Sequence, residues 1–102
     1  MATSLSLDTV RRDAGELVLS AAGEIDLSNI DGFTRALTSA VAETPGATLT
    51  VDLSAVEYLD SSAINALFAH AEQIRVIAPP HLMRVFTISG LTELTAIEAA
   101  AH

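Results

Sequence analysis

Apolar and polar residues alternate at the start of the chain, with Leu5 and Leu7 set among polar neighbours, which predicts a first strand over residues 4–12. A turn at Asp13-Ala14-Gly15 follows, and Leu17 and Leu19 put a second strand over residues 16–22, close enough to the first to form a hairpin. Gly23-Glu24-Ile25-Asp26 reads as a strand end or loop. The period then changes. Phe33, Leu37, Ala40 and Val41, with Ile30, form one helical stripe. Ser28 starts that helix, with Asp31 three residues on in a capping-box-like arrangement, and Thr44-Pro45-Gly46 stops it. Leu49, Val51 and Leu53 alternate in a third strand over residues 48–53, which leads through Ala55-Val56-Glu57-Tyr58 into a second helix. Ile64, Leu67, Phe68 and Ala71 form the stripe of that helix, which ends near Glu72 or Gln73. A short strand over residues 74–78 meets Pro79-Pro80, and Pro80 opens a third helix carrying Leu82, Val85 and Phe86, with Gly90 as its stop. In the tail, Thr95-Ala96-Ile97 suits an edge strand, and Glu98 to Ala101 are helix-prone. The order strand, strand, helix, strand, helix, strand, helix implies parallel strands joined by right-handed crossovers, extended by an antiparallel hairpin. Sites in such sheets lie where strands end and helices begin.

One such junction concentrates polar chemistry. Asp60, Ser61 and Ser62 stand between the third strand and the second helix. A carboxylate at Asp60 can accept the free N–H groups of the first turn, and the helix dipole favours it there. The plain reading is a well-capped helix start. The sharper one is a phosphorylation switch, because a phosphate on Ser61 would add roughly −1.5 to −2 charges at pH 7. The helix N-terminus favours that charge while Asp60 opposes it, so its effect on folding is small. Its effect on a partner docking over the spot is large.

Composition narrows the partners. The chain has 102 residues, half of them hydrophobic, which gives one domain over 1–102 with a real core of Leu, Ile, Val and Ala. The net charge is −8, from 13 acids against five arginines and no lysine. Nucleic-acid binding needs cations over phosphates and is disfavoured. The acidic balance suits a basic protein partner, or serves solubility alone. Without cysteine there is no disulfide, thiolate catalysis or cysteine-based zinc site. No apolar run approaches the ~20 residues of a membrane span, and residues 1–20 lack the pattern of a signal peptide, so a cytoplasmic protein is expected.

An enzyme is not the expected reading. A nucleophilic Ser61 needs a base and an oxyanion hole; of the candidate histidines His70, His81 and His102, His70 is too far along the same helix, and His81 could come nearer although nothing in the spacing demands it. No G-x-S-x-G elbow surrounds the serine. Glu24, Asp26 and Asp60 could gather at one sheet edge around a cation, but without a defined ligand spacing. No metal or other cofactor is expected.

The string VDLSAVEYLDSSAINAL, residues 51–67, resembles the central motif of STAS domains, in particular the bacterial anti-sigma factor antagonists. Gly23-Glu24-Ile25-Asp26 is similar to the family's Gly-Glu-Leu-Asp step, and Pro80 to Leu91 to its third helix with a Ser-Gly-Leu ending. The likeness runs from about residue 4 to residue 94. It implies an α/β STAS-type fold: a mixed four- to five-stranded sheet with an N-terminal β-hairpin and helices packed on it. It also implies a mechanism. The unphosphorylated antagonist binds an anti-sigma factor that is also a serine kinase of the histidine-kinase-like ATPase fold, and so frees a sigma factor. Phosphorylation of the first serine after the Asp abolishes binding, and a serine phosphatase restores it. Carried onto this chain, Ser61 is the phosphoacceptor, Asp60 and Ser62 flank it, and Asp26 joins the docking surface, while ATP belongs to the kinase. The alternative within the family is a non-switching interaction module, as a transporter subunit or a stressosome-like scaffold.

The sequence also departs from the family pattern. Ala63 stands where the family has glycine, so its methyl group is expected to crowd a close partner. The stretch from Ser61 to Ile77 is shorter than usual by roughly two helical turns. The second helix is thus shortened, and the family's last helix is reduced or missing. A trimmed helix layer would leave apolar sheet open to a second subunit, so monomer and homodimer both remain open.

Overall fold

The computed structural model describes residues 4–12 and 15–100, and of the expected first turn only Gly15 falls within them. Strands β1 (Leu5–Arg11), β2 (Leu17–Ile25), β3 (Leu49–Leu59), β4 (Ile74–Ala78) and β5 (Ala96–Ala99) form one five-stranded sheet in the order β1-β2-β3-β4-β5. β1 pairs antiparallel with β2, and every later pairing is parallel. Helices α1 (Ile30–Ala42), α2 (Ser61–Phe68) and α3 (Met83–Ser89) lie in the successive crossovers. Each connection steps to the adjacent strand, and right-handed crossovers then put the helices on one face. Between sheet and helices lie Leu19, Leu49, Val51 and Val76 from the strands, and Phe33, Leu37, Leu67 and Phe86 from the helices, all fully buried. Burying each of these large side chains stabilises the fold by roughly 1.5–3 kcal/mol.

Two strands run further than their alternation suggests. β2 continues through Gly23-Glu24 to Ile25, and β3 continues through Ala55–Tyr58 to Leu59. The register of β2 against β3 shifts twice, between Ser20 and Ala22 and between Gly23 and Glu24, each time with one extra residue on β3. The buried apolar positions of β3 are therefore Leu49, Val51, Leu53, Val56 and Leu59, spaced by two and then by three. The bulges break the period of the sequence without breaking the strand. Gly23 makes the first strand pairing possible. Its φ is +104°, and a Cβ there would stand 2.3 Å from the Ser4 carbonyl oxygen, which accepts the Glu24 amide at 3.0 Å.

The helices also depart from expectation. α1 starts at Ile30, not Ser28, and its N-cap, Asn29, makes no side-chain cap hydrogen bond. The capping box does not form, because Asn29 and not Ser28 is the N-cap, and the Ser28 hydroxyl points back to donate to Asp26. α2 stops at Phe68, short of Glu72, and a separate 3-10 turn over Ala71–Gln73 leads into β4. A 3-10 turn over Pro80–Leu82 precedes α3, and Gly90 caps it at φ +86°. The helix-prone Glu98 and Ala99 are strand, pairing with Ile77 and Ala78, and Ala101 lies outside the described residues. The short α2 does not expose the apolar sheet face beneath it: Leu53, Val76 and Ala78 are fully buried, with Ala71 and Leu91 packed in the same core. Thr95 closes this region by donating its hydroxyl to the Ala71 carbonyl at 2.6 Å.

The other face of the sheet carries a polar ladder. The Thr50 hydroxyl donates to Glu16 at 2.6 Å, and Arg75 Nε donates to Thr50 at 3.1 Å. Arg75 also pairs with Glu16 at 3.5 Å and with Glu98. The Glu16 carboxyl is held below the ordinary carboxylate range, first by the Thr50 hydrogen bond and then by Arg75, against an opposing effect of desolvation.

Candidate functional site

The C-terminal ends of β2 and β3 lie side by side, with Ile25 opposite Leu59. The Asp60 amide donates to the Ile25 carbonyl at 3.1 Å, so the residues that follow each strand leave the sheet as neighbours. Asp26 and Asp60 are thus brought together.

Asp60 is extended, at φ −108° and ψ −174°, and caps α2. Its Oδ1 accepts the Ser62 amide at 2.9 Å and also the Ser62 hydroxyl. The Ser62 hydroxyl is therefore committed, and the residue is half-buried. Ser61 differs on both counts. It is exposed, and among the described residues its hydroxyl makes no hydrogen bond. The first turn of α2 thus displays one serine and uses the other to fix the cap. Ala63 is fully buried, so its methyl group packs into the core and does not face a partner. That corrects the expected crowding.

The β2 end repeats this arrangement. Asp26 Oδ1 accepts the Ser28 amide at 2.9 Å and the Ser28 hydroxyl at 2.5 Å. Asn29 braces the loop: its Oδ1 accepts the Asp26 amide at 3.0 Å, and its Nδ2 donates to the Glu24 carbonyl at 2.9 Å. The residue displayed between Asp26 and Ser28 is Leu27, 78% exposed. Asp60 and Ser61 themselves line an open groove of about 330 Å³, together with Leu59, Ile64, Val85 and Ile88. Ile88 is 75% exposed. The sequence reading places Val85 in the α3 stripe, but it lies at the groove, 39% exposed. Leu27 and Ile88 went unnoticed as surface features. Asp-x-Ser occurs at 26–28, 52–54 and 60–62, but the middle residue of the second, Leu53, is fully buried, so the pattern alone does not single out Leu27.

Neither described histidine hydrogen-bonds Ser61. His70 contacts Thr38 and Gln73, each at 3.4 Å, and His81 Nε2 meets the Glu57 carbonyl at 3.1 Å. His102 lies outside the described residues. Among the described residues no three of His, Asp and Glu gather as a metal site, Glu24, Asp26 and Asp60 included. Among them, too, no helix is long and apolar enough to cross a membrane.

Known proteins share this architecture. An anti-sigma-F factor antagonist, RsfB, of Mycobacterium tuberculosis is 44% identical over 66 residues, which cover 65% of this chain and 53% of RsfB. The chain thus spans about half the length of the curated relatives it matches. The crystal structure of an anti-sigma factor antagonist from Mycobacterium paratuberculosis superposes with a TM-score of 0.84 at 31% identity, over 93% of this chain and 86% of that one. The anti-sigma factor antagonist SpoIIAA in its unphosphorylated form shares the fold, with a TM-score of 0.70 at 19% identity over 97% of this chain and 90% of that one. The family model described as "Mlab, STAS domain" matches residues 9–96, and the chain belongs to the STAS domain family, with anti-sigma factor antagonists among its relatives.

Proposed function

We propose that this chain is an anti-sigma factor antagonist acting in the cytoplasm: it binds an anti-sigma factor, releases a sigma factor, and is switched off by phosphorylation of Ser61. The observation that carries the reading is the contrast between the two serines of the α2 start. Ser61 is exposed with its hydroxyl unengaged, whereas Ser62 is bound to Asp60. A kinase therefore meets one ready acceptor. The relatives named as anti-sigma factor antagonists support the choice of partner.

The phosphate acts on docking rather than folding. Ser61 points outward from a capped helix, so a dianion there leaves the core untouched. At an interface the same dianion must be desolvated beside Asp60 and Asp26, which is costly for a partner that fits the unmodified surface. The partner is an anti-sigma factor that is also a serine kinase of the histidine-kinase-like ATPase fold. It supplies the ATP, and a serine phosphatase reverses the modification. This chain contributes the acceptor and the surface and has no catalytic role. In a titration against the anti-sigma factors of the same genome, the unmodified chain binds one of them. Ser61→Asp loses that binding while keeping the parent circular dichroism and melting temperature. A folded Ser61→Asp protein with parental affinity contradicts the switch.

A further inference from the structure

We propose that Leu27 is an apolar anchor for the same anti-sigma factor, presented at the end of β2, the strand paired with the one that leads to Ser61, by an Asp-x-Ser turn with the same aspartate-to-serine hydrogen bonds as the helix start that presents Ser61. The inference rests on the functional reading above and adds to it a residue outside the Asp-Ser-Ser step.

A single exposed leucine is ordinary. Three observations set Leu27 apart. First, it is held rigidly. The Asp26 carboxylate, the Ser28 amide and hydroxyl, and the Asn29 side chain fix the backbone on both sides of it. A backbone already fixed there loses little further entropy on binding, so contacts made by the leucine it carries convert efficiently into affinity. Second, its place matches that of Ser61. Both are the middle residue of an Asp-x-Ser step, Leu27 in a turn and Ser61 in the first turn of α2, at the ends of paired strands joined by the Asp60 to Ile25 hydrogen bond. A partner that covers Ser61 is in position to cover Leu27. Third, the surroundings describe that partner. Leu27 follows Asp26 at the end of β2, the groove with Val85 and Ile88 takes in Asp60 at the paired end of β3, and Glu24 is exposed just before Asp26, so carboxylates accompany both apolar features. Two apolar contacts accompanied by negative charge call for a surface with an apolar pocket and cationic side chains beside it. This chain carries −8, so a basic face on the anti-sigma factor is the complement.

The test is a titration of the anti-sigma factor with the full chain and three variants. Leu27→Ser and Leu27→Ala probe the anchor. Leu94→Ser is the control, a comparably exposed leucine that lines a hollow with Phe68 and Gln73, away from the Asp60 end of β3. We expect both Leu27 variants to bind about tenfold more weakly, chiefly through faster dissociation, and Leu94→Ser to match the parent. Parental binding with Leu27 variants within twofold of it overturns the anchor and leaves the antagonist reading intact. An equal loss in Leu94→Ser overturns it too. If the unmodified chain binds no anti-sigma factor, the functional reading fails and the anchor fails with it.

Discussion

Ser62 donates both its amide and its hydroxyl to one oxygen of Asp60, Oδ1, and so ties the cap of α2 to the residue just beyond the exposed serine. The local geometry of the site depends on this pair. Asp60→Ala removes the cap acceptor, and the expected cost is about 1 kcal/mol. In a domain of this size that lowers the melting temperature by about 4–8 °C. Asp60→Asn, which still offers an oxygen, should recover most of the loss. Thermal melts of the two variants check this; equal losses would mean that capping is not what Asp60 supplies to the fold.

A second prediction concerns the hairpin. Alanine at position 23 would place a methyl carbon 2.3 Å from the Ser4 carbonyl oxygen, at a φ of +104° that side chains rarely adopt. Backbone cannot move aside as the tip of a flexible side chain can. Gly23→Ala is therefore expected to destabilise by about 1–3 kcal/mol and to loosen β1 at its Leu5 end. Urea denaturation measures the first effect and amide exchange on β1 the second. Unchanged stability would show that the strand shifts freely.

The polar ladder predicts a pH dependence. Thr50 and Arg75 hold the Glu16 carboxyl below its ordinary range in the folded chain. A carboxyl depressed by folding stabilises at pH values above its unfolded value, and that contribution fades as the pH falls through the folded value. The stability difference between the parent and Glu16→Gln should thus be greatest near neutrality and shrink as the pH falls into the acid range below the ordinary glutamate value. A difference that stays constant across that interval would exclude a role for the charged form.

Thr95 makes the fourth case. Its buried hydroxyl satisfies the Ala71 carbonyl, and this bond joins the entry of β5 to the turn that replaces the missing part of the second helix. Thr95→Val keeps the shape and leaves that carbonyl without its partner, at an expected cost of about 1–3 kcal/mol. Urea denaturation would reveal it. Thr95→Ser retains the hydroxyl and should lie nearer the parent.

The sheet, the crossovers and the Asp60 cap were legible because they follow from local pattern: alternation in β2 and β3, the stripe from Ile64 to Leu67, and an acid before it. What escaped depended on contacts between distant segments. The full length of β3 was hidden because its bulges change the burial spacing after Leu53. The start of α1 was misplaced because Ser28 is a good capping residue, yet its hydroxyl is engaged by Asp26. Leu27 was overlooked because exposure depends on what surrounds a leucine, not on its neighbours in sequence. By residue type Ser61 and Ser62 are alike; the resemblance points to Ser61, and exposure and the hydrogen bonds to Asp60 tell the two apart in the structure.

The most direct test of the switch is the intact mass of the chain after incubation with ATP and each candidate anti-sigma kinase, beside Ser61→Ala and Ser62→Ala. One added phosphate on the parent and on Ser62→Ala, and none on Ser61→Ala, is the predicted result. A phosphate that persists in Ser61→Ala, or a parent that binds its kinase stably yet never gains one, would contradict it.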